Sequence, residues 1–274
     1  MIIQYFGTGA YEAVPSMFCH CHVCETARAV GGREMRSRAQ ALINGEILMD
    51  YGPDTVWHYQ RYRFTPEAIK ACLITHSHSD HFFPEDVCML HEPYCHGHAP
   101  VHFYAAEAAY RALVPIAAAS AGNVTVAEVR PEERFTIADG RYTVLPLRAN
   151  HTPNTTPVFY SIVGEGKRIL YAHDTGVFPE ESLKAMENEG CYDLVSFDCT
   201  GCLGLDRDWV SGHMSFRPIL ALRDRMTAVG MIDAHTVCVL NHFSHNGGQT
   251  YAEMCAAAEP HGFVVAYDGM ELSF

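Results

Sequence analysis

The chain has 274 residues, of which 48% are hydrophobic and 19% charged, a composition typical of a globular protein with a full core. Its formal net charge of −13 at pH 7 disfavours a protein that grips a nucleic-acid backbone, so we expect no stable nucleic-acid binding. The apolar runs are too short and too interrupted to cross a bilayer, which argues against a membrane protein.

Residues 1–6 lack the basic segment and the long apolar core of a signal peptide and are predicted to form the first β-strand. Without an export signal, the 11 cysteines are better explained as reduced thiols and metal ligands than as disulfides. We therefore predict a cytoplasmic protein. No repeat, low-complexity block or linker interrupts the sequence, so we predict a single domain that spans residues 1–274.

Short apolar runs recur along the chain, and several are followed directly by a carboxylate or an imidazole. These runs and the residues after them are 47–49 before Asp50, 71–75 before His76, 142–147 leading to His151, 168–172 before His173 and Asp174, 194–197 before Asp198, and 237–240 before Asn241 and His242. Helix-like stretches lie between them, for example at 105–119 and 216–228. Strands that alternate with helices and carry polar residues at their carboxyl ends predict a layered α/β enzyme with its site along one sheet edge.

The segment His76-Ser77-His78-Ser79-Asp80-His81 has three imidazoles and a carboxylate within six residues. It follows the predicted strand 71–75, and Pro84 then marks the first turn of a helix. The cluster is therefore predicted on a strand-to-helix loop, where several side chains can point at one place. Imidazole suits zinc, iron and manganese. A His-rich surface loop is the alternative, but the pattern at a strand end is more constrained than that interpretation requires.

A dinuclear metal centre needs about four ligands per ion, with one ligand often shared. We divide seven predicted ligands between two divalent ions that share the carboxylate of Asp174: His76, His78 and His151 on one ion, and Asp80, His81 and His242 on the other. Such a pair acidifies a bridging water to hydroxide and clamps an ester oxygen, so Asp80 is assigned a catalytic role as well. His173 is the rival of Asp174 and is predicted to point to the opposite face. Zinc, manganese and iron all suit these ligands.

A second metal site is predicted from Cys19, Cys21 and Cys24, which have C-x-C-x-x-C spacing. Thiolates this close in a reduced protein indicate a structural zinc, whose tetrahedral shell needs a fourth ligand. We favour His245, three residues after His242, over the local candidates His20 and His22, because a short loop would strain to supply all four ligands. Three free thiols are the alternative interpretation.

The chain order of H-x-H-x-D-H, a distant His, an Asp and a final His resembles that of the metallo-β-lactamase superfamily. The resemblance covers essentially the whole chain and implies an α/β fold, the four-layer αββα sandwich. It also implies that Asp50 supports the metal ligands from behind. A turn residue before Gly52 is the alternative interpretation of Asp50.

One branch of that superfamily is similar in further motifs, namely Gly7-Thr8-Gly9, Val14-Pro15, the cysteine triplet and the pair His242 and His245. These resemble the PhnP-type phosphoribosyl cyclic phosphodiesterases of phosphonate catabolism, although PqqB proteins share the triplet. The resemblance implies a dinuclear hydrolytic site with a separate Cys₃His zinc, a small cyclic phosphodiester as substrate (a ribose 1,2-cyclic phosphate or a 2′,3′-cyclic nucleotide), and a homodimer. Two segments depart from the pattern, Tyr11-Glu12-Ala13 and the His-rich residues 91–98.

The segment Gly212-His213-Met214-Ser215 resembles the G-H-x-S motif of the same branch. The resemblance implies that His213 is a general acid, which protonates the leaving alkoxide as hydroxide attacks phosphorus. An imidazole is well tuned for that task near neutral pH. A histidine that caps a helix is the alternative. Asp198 either orients His213 or a ligand, or caps the next element.

The sequence thus predicts a metal-dependent phosphodiesterase. Alternatives are a tRNA 3′-processing endonuclease of the same superfamily, a β-lactamase or thiolesterase, and a binding protein without catalysis. The endonuclease needs a basic docking surface or arm, and the negative net charge counts against it. Among other polar residues, we interpret Arg36 and Arg38 as solvated surface, with partners of a substrate phosphate as the alternative. We interpret Asp268 as lacking a surrounding constellation and residues 91–98 as a loop outside the metal sites, with a third ion site or a pocket wall as the alternative for that loop.

Overall fold

The computed structural model describes residues 1–153, 155–187, 189–204 and 207–274, and these form two seven-stranded sheets. The strands, in chain order, are β1 (Ile2–Gly7), β2 (Gln40–Ile43), β3 (Ile47–Met49), β4 (Ala71–Ile74), β5 (Val101–Ala105), β6 (Val124–Glu128), β7 (Phe135–Ile137), β8 (Tyr142–Arg148), β9 (Val158–Gly164), β10 (Lys167–Ala172), β11 (Leu194–Asp198), β12 (Val237–Asn241), β13 (Phe263–Val265) and β14 (Met270–Ser273). One sheet has the order β14-β1-β2-β3-β4-β5-β6, and the other has the order β13-β12-β11-β10-β9-β8-β7.

Helices flank the two sheets. They are α1 (His22–Val30), α2 (Thr55–Tyr62), α3 (Pro84–Val87), α4 (Glu107–Ala119), α5 (Glu180–Met186), α6 (Phe216–Ala228) and α7 (Tyr251–Ala258). One hydrophobic cluster joins the first sheet to α3 and α4, and another joins the second sheet to α5, α6 and α7. A third cluster lies between the sheets. The result is the four-layer αββα sandwich that the resemblance implies.

Strands β4 and β10 show why the central runs are apolar at every position. Leu73 of β4 packs between the sheets, whereas its neighbour Ile74 packs against the helices. In β10, Tyr171 and Leu170 alternate between the inner and outer cores in the same way. Both faces of these strands are buried, so their sequences do not alternate between apolar and polar residues.

Strand direction determines where the polar residues after each strand lie. Strands β3 to β6 run parallel, as do β10 to β13. The carboxyl ends of β4, β10, β11 and β12 therefore open at the edges of their sheets, where ligand sites of α/β folds form. Within the described residues, no helix is long and apolar enough to cross a membrane.

Most predicted elements are confirmed, with small shifts at their ends. The helix predicted at 105–119 begins at Glu107, because Ala105 is the last residue of β5 and pairs with Ile74 and Glu128. The strand predicted at 71–75 ends at Ile74. Thr75 lies beyond it, and its backbone N–H donates to Asp50 instead of a neighbouring strand.

Candidate metal centre and active site

The H-x-H-x-D-H segment forms a tight loop between β4 and α3. The backbone N–H of Tyr51 donates to the carbonyl of His81 over 2.8 Å, which ties the loop to the end of β3. Gly52 permits this approach, since a Cβ atom at that position would lie 2.0 Å from the carbonyl oxygen of Asp80. The predicted loop therefore depends on a glycine 28 residues earlier in the sequence.

Three residues at this edge have left-handed backbones, Asp50 (φ 66°), Asp174 (φ 51°) and His242 (φ 61°). A residue with a side chain pays about 1 kcal/mol or more for such a conformation, which persists when the surrounding contacts enforce it. Asp50 directly follows β3, His242 directly follows β12, and Asp174 comes two residues after β10. The sharp turn points each side chain back across the sheet edge.

The first cluster consists of His76, His78, His151 and Asp174, whose ligand atoms lie within 4.8 Å of one another. Nε2 of His151 is 3.1 Å from Nδ1 of His78 and 3.6 Å from Oδ1 of Asp174. Nε2 of His76 is 3.8 Å from the same oxygen. It is buried and has no hydrogen-bond partner among the described residues. These are the four side chains that the sequence assigns to one ion.

The second cluster consists of Asp80, His81 and His242. Nε2 of His81 is 3.2 Å from Nε2 of His242, and the two nitrogens are 2.8 and 3.0 Å from Oδ2 of Asp174. Oδ2 of Asp80 is 3.3 Å from Nε2 of His81. Asp174 thus turns one oxygen towards each cluster, the placement required of a shared carboxylate.

The second ring nitrogen of several clustered histidines is hydrogen-bonded on the side away from the cluster. Nδ1 of His81 donates to Oδ2 of Asp50 over 2.7 Å, and Nδ1 of His151 donates to the carbonyl of Gly212 over 2.8 Å. Nδ1 of His242 donates to Oγ1 of Thr200 over 2.7 Å. Such partners are typical of metal-binding histidines, because they fix the tautomer that leaves Nε2 free. Asp50 thus contacts a clustered histidine, as the resemblance implies.

The spacing of the facing nitrogens fits a metal ion. Nitrogens about 2.05 Å from a tetrahedral zinc lie about 3.3 Å from each other. The pairs His78–His151 and His81–His242 have 3.1 and 3.2 Å between their nitrogens. An arrangement that turns unprotonated nitrogens towards each other is unfavourable unless a cation or a proton sits between them, so both clusters fit divalent ions.

The pKa values of the clustered histidines also fit bound cations. Burial lowers the pKa of His76 and of His151, which keeps both imidazoles in the neutral, ligating form. Burial also disfavours the charged form of His81, but the carboxylates of Asp174, Asp80 and Asp50 outweigh it and raise the pKa of His81 well above its usual range. The three carboxylates therefore favour positive charge at His81, and a divalent ion bound there would supply it.

Cys19, Cys21, Cys24 and His245 form a separate group, the cysteine cluster. Nδ1 of His245 is 3.5 Å from Sγ of both Cys19 and Cys21. Sulfur and nitrogen ligands of a tetrahedral zinc are about 3.6 Å apart, so the cluster fits that ion. The local alternatives lie elsewhere, because His20 contacts Glu25 and His22 contacts Glu253, both on the exposed surface.

His213 lies beside the second cluster and contacts Asp198. Its Nδ1 donates to Oδ2 of Asp198 over 2.8 Å, and Nδ1 is 4.0 Å from Oδ1 of Asp174. Burial disfavours protonation of His213, but the charge of Asp198 and this hydrogen bond outweigh it and raise the pKa to about 9. Asp198 also accepts from the hydroxyl of Thr200 over 2.7 Å, and Thr200 in turn accepts from His242. One carboxylate therefore orients both imidazoles.

A cavity of about 480 Å³ opens over the two clusters. It is lined by His78, Asp80, His151, Asp174, His213 and His242, and also by residues that the sequence does not single out as site residues, among them Tyr11, Glu12, Thr200, Trp209 and Asn246. Thr200 follows β11 by two residues, which is the signal that could have found it. Nothing in the sequence around Trp209 marks it.

Two interpretations from the sequence are wrong. Arg36 is buried, and its guanidinium donates to Oγ1 of Thr8 and to the carbonyl of Ala266. Asp268 is also surrounded by partners, since it accepts from the hydroxyls of Thr8 and Ser37. These partners are distant in sequence, so no local pattern reveals them. Both residues line a second cavity, of about 610 Å³, which contains none of the clustered histidines.

The structure agrees with the sequence-based interpretations of His173, residues 91–98 and Arg38. His173 turns away from the clusters, and its Nε2 lies 2.8 Å from Oγ of Ser196. Within the described part of the chain, residues 91–98 contribute to none of the groups that could hold a metal. Arg38 is partly exposed and pairs with Asp54 over 2.9 Å.

A sequence model of the β-lactamase superfamily domain matches residues 46–242, more than half of the chain. The chain belongs to this superfamily. The match confirms the predicted resemblance, and the four layers with clustered histidines and carboxylates are those of its metallo-β-lactamase fold. Divalent-metal binding and a hydrolytic activity accord with this family.

Solved structures share the metallo-β-lactamase fold over the whole chain. A diphosphatase of the PhnP family is 21% identical, with a TM-score of 0.76 and coverage of 100% of this chain and 97% of that one. Zinc-bound PqqB from Methylobacterium extorquens is 21% identical, with a TM-score of 0.77 and full coverage of both chains. Human tRNase Z, short form, is 19% identical, with a TM-score of 0.66 and coverage of 100% and 99%. At these identities the likeness shows the fold alone.

The match to one curated relative covers a smaller part of this chain than the matches to the solved structures do. An octanoyltransferase of Porphyromonas gingivalis is 27% identical over 187 residues, which is 65% of this chain. The matched part is 36% of the relative's length, so the chain spans about a third of that protein.

Proposed function

We propose that this protein is a metal-dependent phosphodiesterase that opens a small cyclic phosphate, either a ribose 1,2-cyclic phosphate or a 2′,3′-cyclic nucleotide. The observation that carries the proposal is His213, which is held by the buried Asp198 and lines a cavity that members of both clusters also line. A cavity of about 480 Å³ suits a nucleotide-sized ligand. The cavity therefore offers ligands for cations, a proton donor and enough space for a small diester.

The two clusters are the proposed ligands of two divalent ions, with Asp174 shared between them. Ions bound there would supply Lewis-acid polarisation of a phosphate oxygen and a nucleophile at neutral pH. Asp80 lines the cavity beside His81, so we assign it a catalytic position as well as a ligand role. Asp50 and Thr200 orient the imidazoles of His81 and His242 through their hydrogen bonds.

His213 is the proposed general acid. Asp198 holds Nδ1 of the ring, so Nε2 is the atom available to a substrate in the cavity. Burial disfavours protonation, but the charge of Asp198 raises the pKa of His213 to about 9, which favours the protonated form that a general acid needs. Ring opening of a cyclic phosphate expels an alkoxide, a poor leaving group that gains most from protonation. The position and the charge state of His213 both suit that step.

The cysteine cluster is the proposed site of a structural zinc. It joins the start of α1 to the loop that follows β12, so zinc would brace the loop that carries His242. The zinc in the solved PqqB supports this choice of metal. For the catalytic ions we propose zinc, manganese or iron, because mixed nitrogen and oxygen ligands suit all three.

Relatives of this fold support the reaction class. The diphosphatase of the PhnP family and human tRNase Z both act on phosphate linkages by name, and both share the fold of this chain. We further propose a homodimer, as the sequence resemblance implies. Gel filtration with light scattering tests the dimer.

A tRNA 3′-processing activity is less well supported. It needs a basic surface for the RNA backbone, whereas this chain has a net charge of −13. Described residues that line the cavity include neither Arg nor Lys. Failure to bind tRNA at low salt, where electrostatic attraction is strongest, would remove this candidate.

Phosphorus NMR of the manganese- or zinc-loaded protein tests the proposal directly. The substrates are a ribose 1,2-cyclic phosphate and a 2′,3′-cyclic nucleotide, measured in parallel with the metal content. Ring opening of either substrate supports the proposed function. No hydrolysis of either one by protein with bound metal would contradict it.

A further inference from the structure

Glu12 is placed between the cysteine cluster and the cavity. Its Oε1 is 3.5 Å from Nε2 of His245, the ring whose Nδ1 faces the thiols. The same oxygen accepts from the hydroxyl of Ser244 and from the side-chain amide of Asn246. All these contacts are made to Oε1, while the Glu12 side chain also lines the cavity. Oε2 is therefore left for a donor on a bound ligand.

Without the proposed ions, the wall of the cavity is rich in carboxylates. Asp80 and Asp174 belong to the clusters, and Glu12 adds a third carboxylate towards the opening. The described residues that line the cavity include no Arg or Lys. A cyclic phosphate monoanion can be balanced by ions at the clusters. A second phosphate near the opening would meet Glu12, and the described lining residues offer no Arg or Lys there to balance it.

Arg38 contacts the segment that carries Glu12, but its guanidinium already has partners. Its guanidinium pairs with Asp54 over 2.9 Å, and its Nε donates to the carbonyl of Tyr11 over 2.8 Å. The guanidinium carbon lies 5.8 Å from the centre of the Tyr11 ring. Tyr11, unlike Arg38, lines the cavity. The aromatic ring, rather than the guanidinium, is thus presented to a ligand.

Trp209 supplies a second aromatic surface. Its ring centre is 6.4 Å from that of His213, and the side chain is partly exposed in the cavity wall. Tyr11 and Trp209 both offer faces to an uncharged, flat group such as a nucleobase. The cavity therefore combines apolar stacking surfaces with one carboxylate acceptor.

We propose that Glu12 determines substrate specificity: it accepts a hydrogen bond from the uncharged part of a cyclic phosphate and excludes substrates with a second phosphate. This inference rests on the proposed phosphodiesterase function and narrows it. The substrate class is a cyclic phosphate whose other end is a neutral hydroxyl- or amine-bearing group, such as a nucleoside without a 5′-phosphate. Sugar cyclic phosphates that carry a further phosphate are disfavoured.

A merely structural role of Glu12 predicts a different result. If Glu12 served only to hold His245, its replacement would change the zinc content or the stability and leave the choice between substrates unaltered. Glu12→Gln separates the two roles, because glutamine keeps an oxygen for Ser244 and Asn246 but removes the negative charge. Glu67→Gln is the matched control, since Glu67 is exposed and outside the cavity and loses the same charge.

The kinetic test compares 2′,3′-cyclic AMP with its 5′-phosphorylated form, two substrates that differ by one phosphate. For the metal-loaded wild type and Glu67→Gln, we expect kcat/KM to favour the form without the 5′-phosphate about tenfold or more. Glu12→Gln should reduce that preference to about threefold or less at unchanged zinc content. Equal turnover of both forms by the wild type, or a preference unchanged in Glu12→Gln, would overturn the inference. Loss of all cyclic-diester turnover with metal bound would instead overturn the proposed function, and this inference with it.

A binding test needs no turnover. The chain has two tryptophans, and Trp57 lines the other cavity, so Trp57→Phe leaves Trp209 as the fluorescent reporter. In that background, 3′-AMP should quench Trp209 at about tenfold lower concentration than adenosine 3′,5′-bisphosphate, and Glu12→Gln should bring the two curves together. If the Trp57→Phe protein, which keeps Glu12, bound both nucleotides with equal affinity, the proposed exclusion of a second phosphate would be contradicted.

Discussion

Nδ1 of His213 lies 2.8 Å from Oδ2 of Asp198, a carboxylate with no exposed surface. Through Thr200, the same carboxylate also fixes the ring of His242. The proposed proton donor and a proposed metal ligand therefore take their orientation from one side chain. Because Asp198 directly ends β11, the position of both rings is coupled to the rigid centre of the second sheet.

His213→Ala should reduce the hydrolysis of a cyclic phosphate by about 100-fold or more and leave the metal content unchanged, because His213 is the proposed general acid and is not among the seven proposed ligands of the two ions. Metal analysis and phosphorus NMR measure the two quantities. A diester with a nitrophenolate leaving group should lose much less activity, since that group departs without a proton.

His235→Ala is the control for this variant, because His235 is exposed and, among the described residues, belongs to none of the groups that could hold a metal. It should behave as the wild type with both substrates. Full activity of His213→Ala towards the cyclic phosphate would contradict the general-acid assignment, and a loss of metal would indicate that His213 is a ligand.

Asp50→Asn should weaken metal binding at the second cluster by about 10- to 100-fold. The carboxylate of Asp50 accepts the Nδ1 proton of His81, and an amide accepts that proton less strongly and orients the ring less firmly. Competition with a fluorescent chelator measures the affinity. Asp54→Asn is the matched control, four residues away and bonded to Arg38 instead. Equal metal affinities of the two variants would refute a supporting role for Asp50.

Cys21→Ser should remove one zinc per chain and lower the unfolding temperature by about 5 °C or more, because a structural zinc contributes directly to folding. Zinc analysis and calorimetry measure the change. Cys191→Ser should change neither value, since Cys191 is exposed and outside the cysteine cluster. Unchanged zinc in Cys21→Ser would show that the thiols are free.

Stability should fall between about pH 6.5 and pH 4 because of His58 in α2. Burial lowers the pKa of His58 to about 4, and its two ring nitrogens contact Gln40 and Ser37. In this range the unfolded chain binds a proton that the folded chain does not, so the free energy of unfolding decreases as the pH falls. The full difference is about 3 kcal/mol for this one group.

His58→Gln removes the titration and should make the stability less sensitive to acid over the same range. Urea unfolding of both proteins at pH 7, 5.5 and 4 gives the comparison. A wild type and variant that lose stability in parallel between pH 6.5 and 4 would contradict the assignment to His58.

The order of residues along the chain was sufficient to predict the clusters. A His or Asp at or just beyond the end of such an apolar run is expected at the sheet edge. That reasoning placed His76, Asp174 and His242 correctly at one edge. It failed for Arg36, predicted on the solvated surface, because burial of a guanidinium depends on acceptors such as Thr8 and Ala266 that lie 28 and 230 residues away.

The sequence by itself determined a layered α/β architecture and the types of side chain brought to the two clusters, because apolar runs and ligand chemistry are local properties, and the motif resemblance added the four-layer arrangement. Only the tertiary structure decided which nitrogen of each imidazole faces its cluster and how Asp174 divides its two oxygens. It also decided that Glu12 and Trp209 line the cavity. These features depend on contacts between segments far apart in the chain, such as Glu12 with Ser244, and hydrogen-bond direction at such contacts is fixed only when the two sheets pack together.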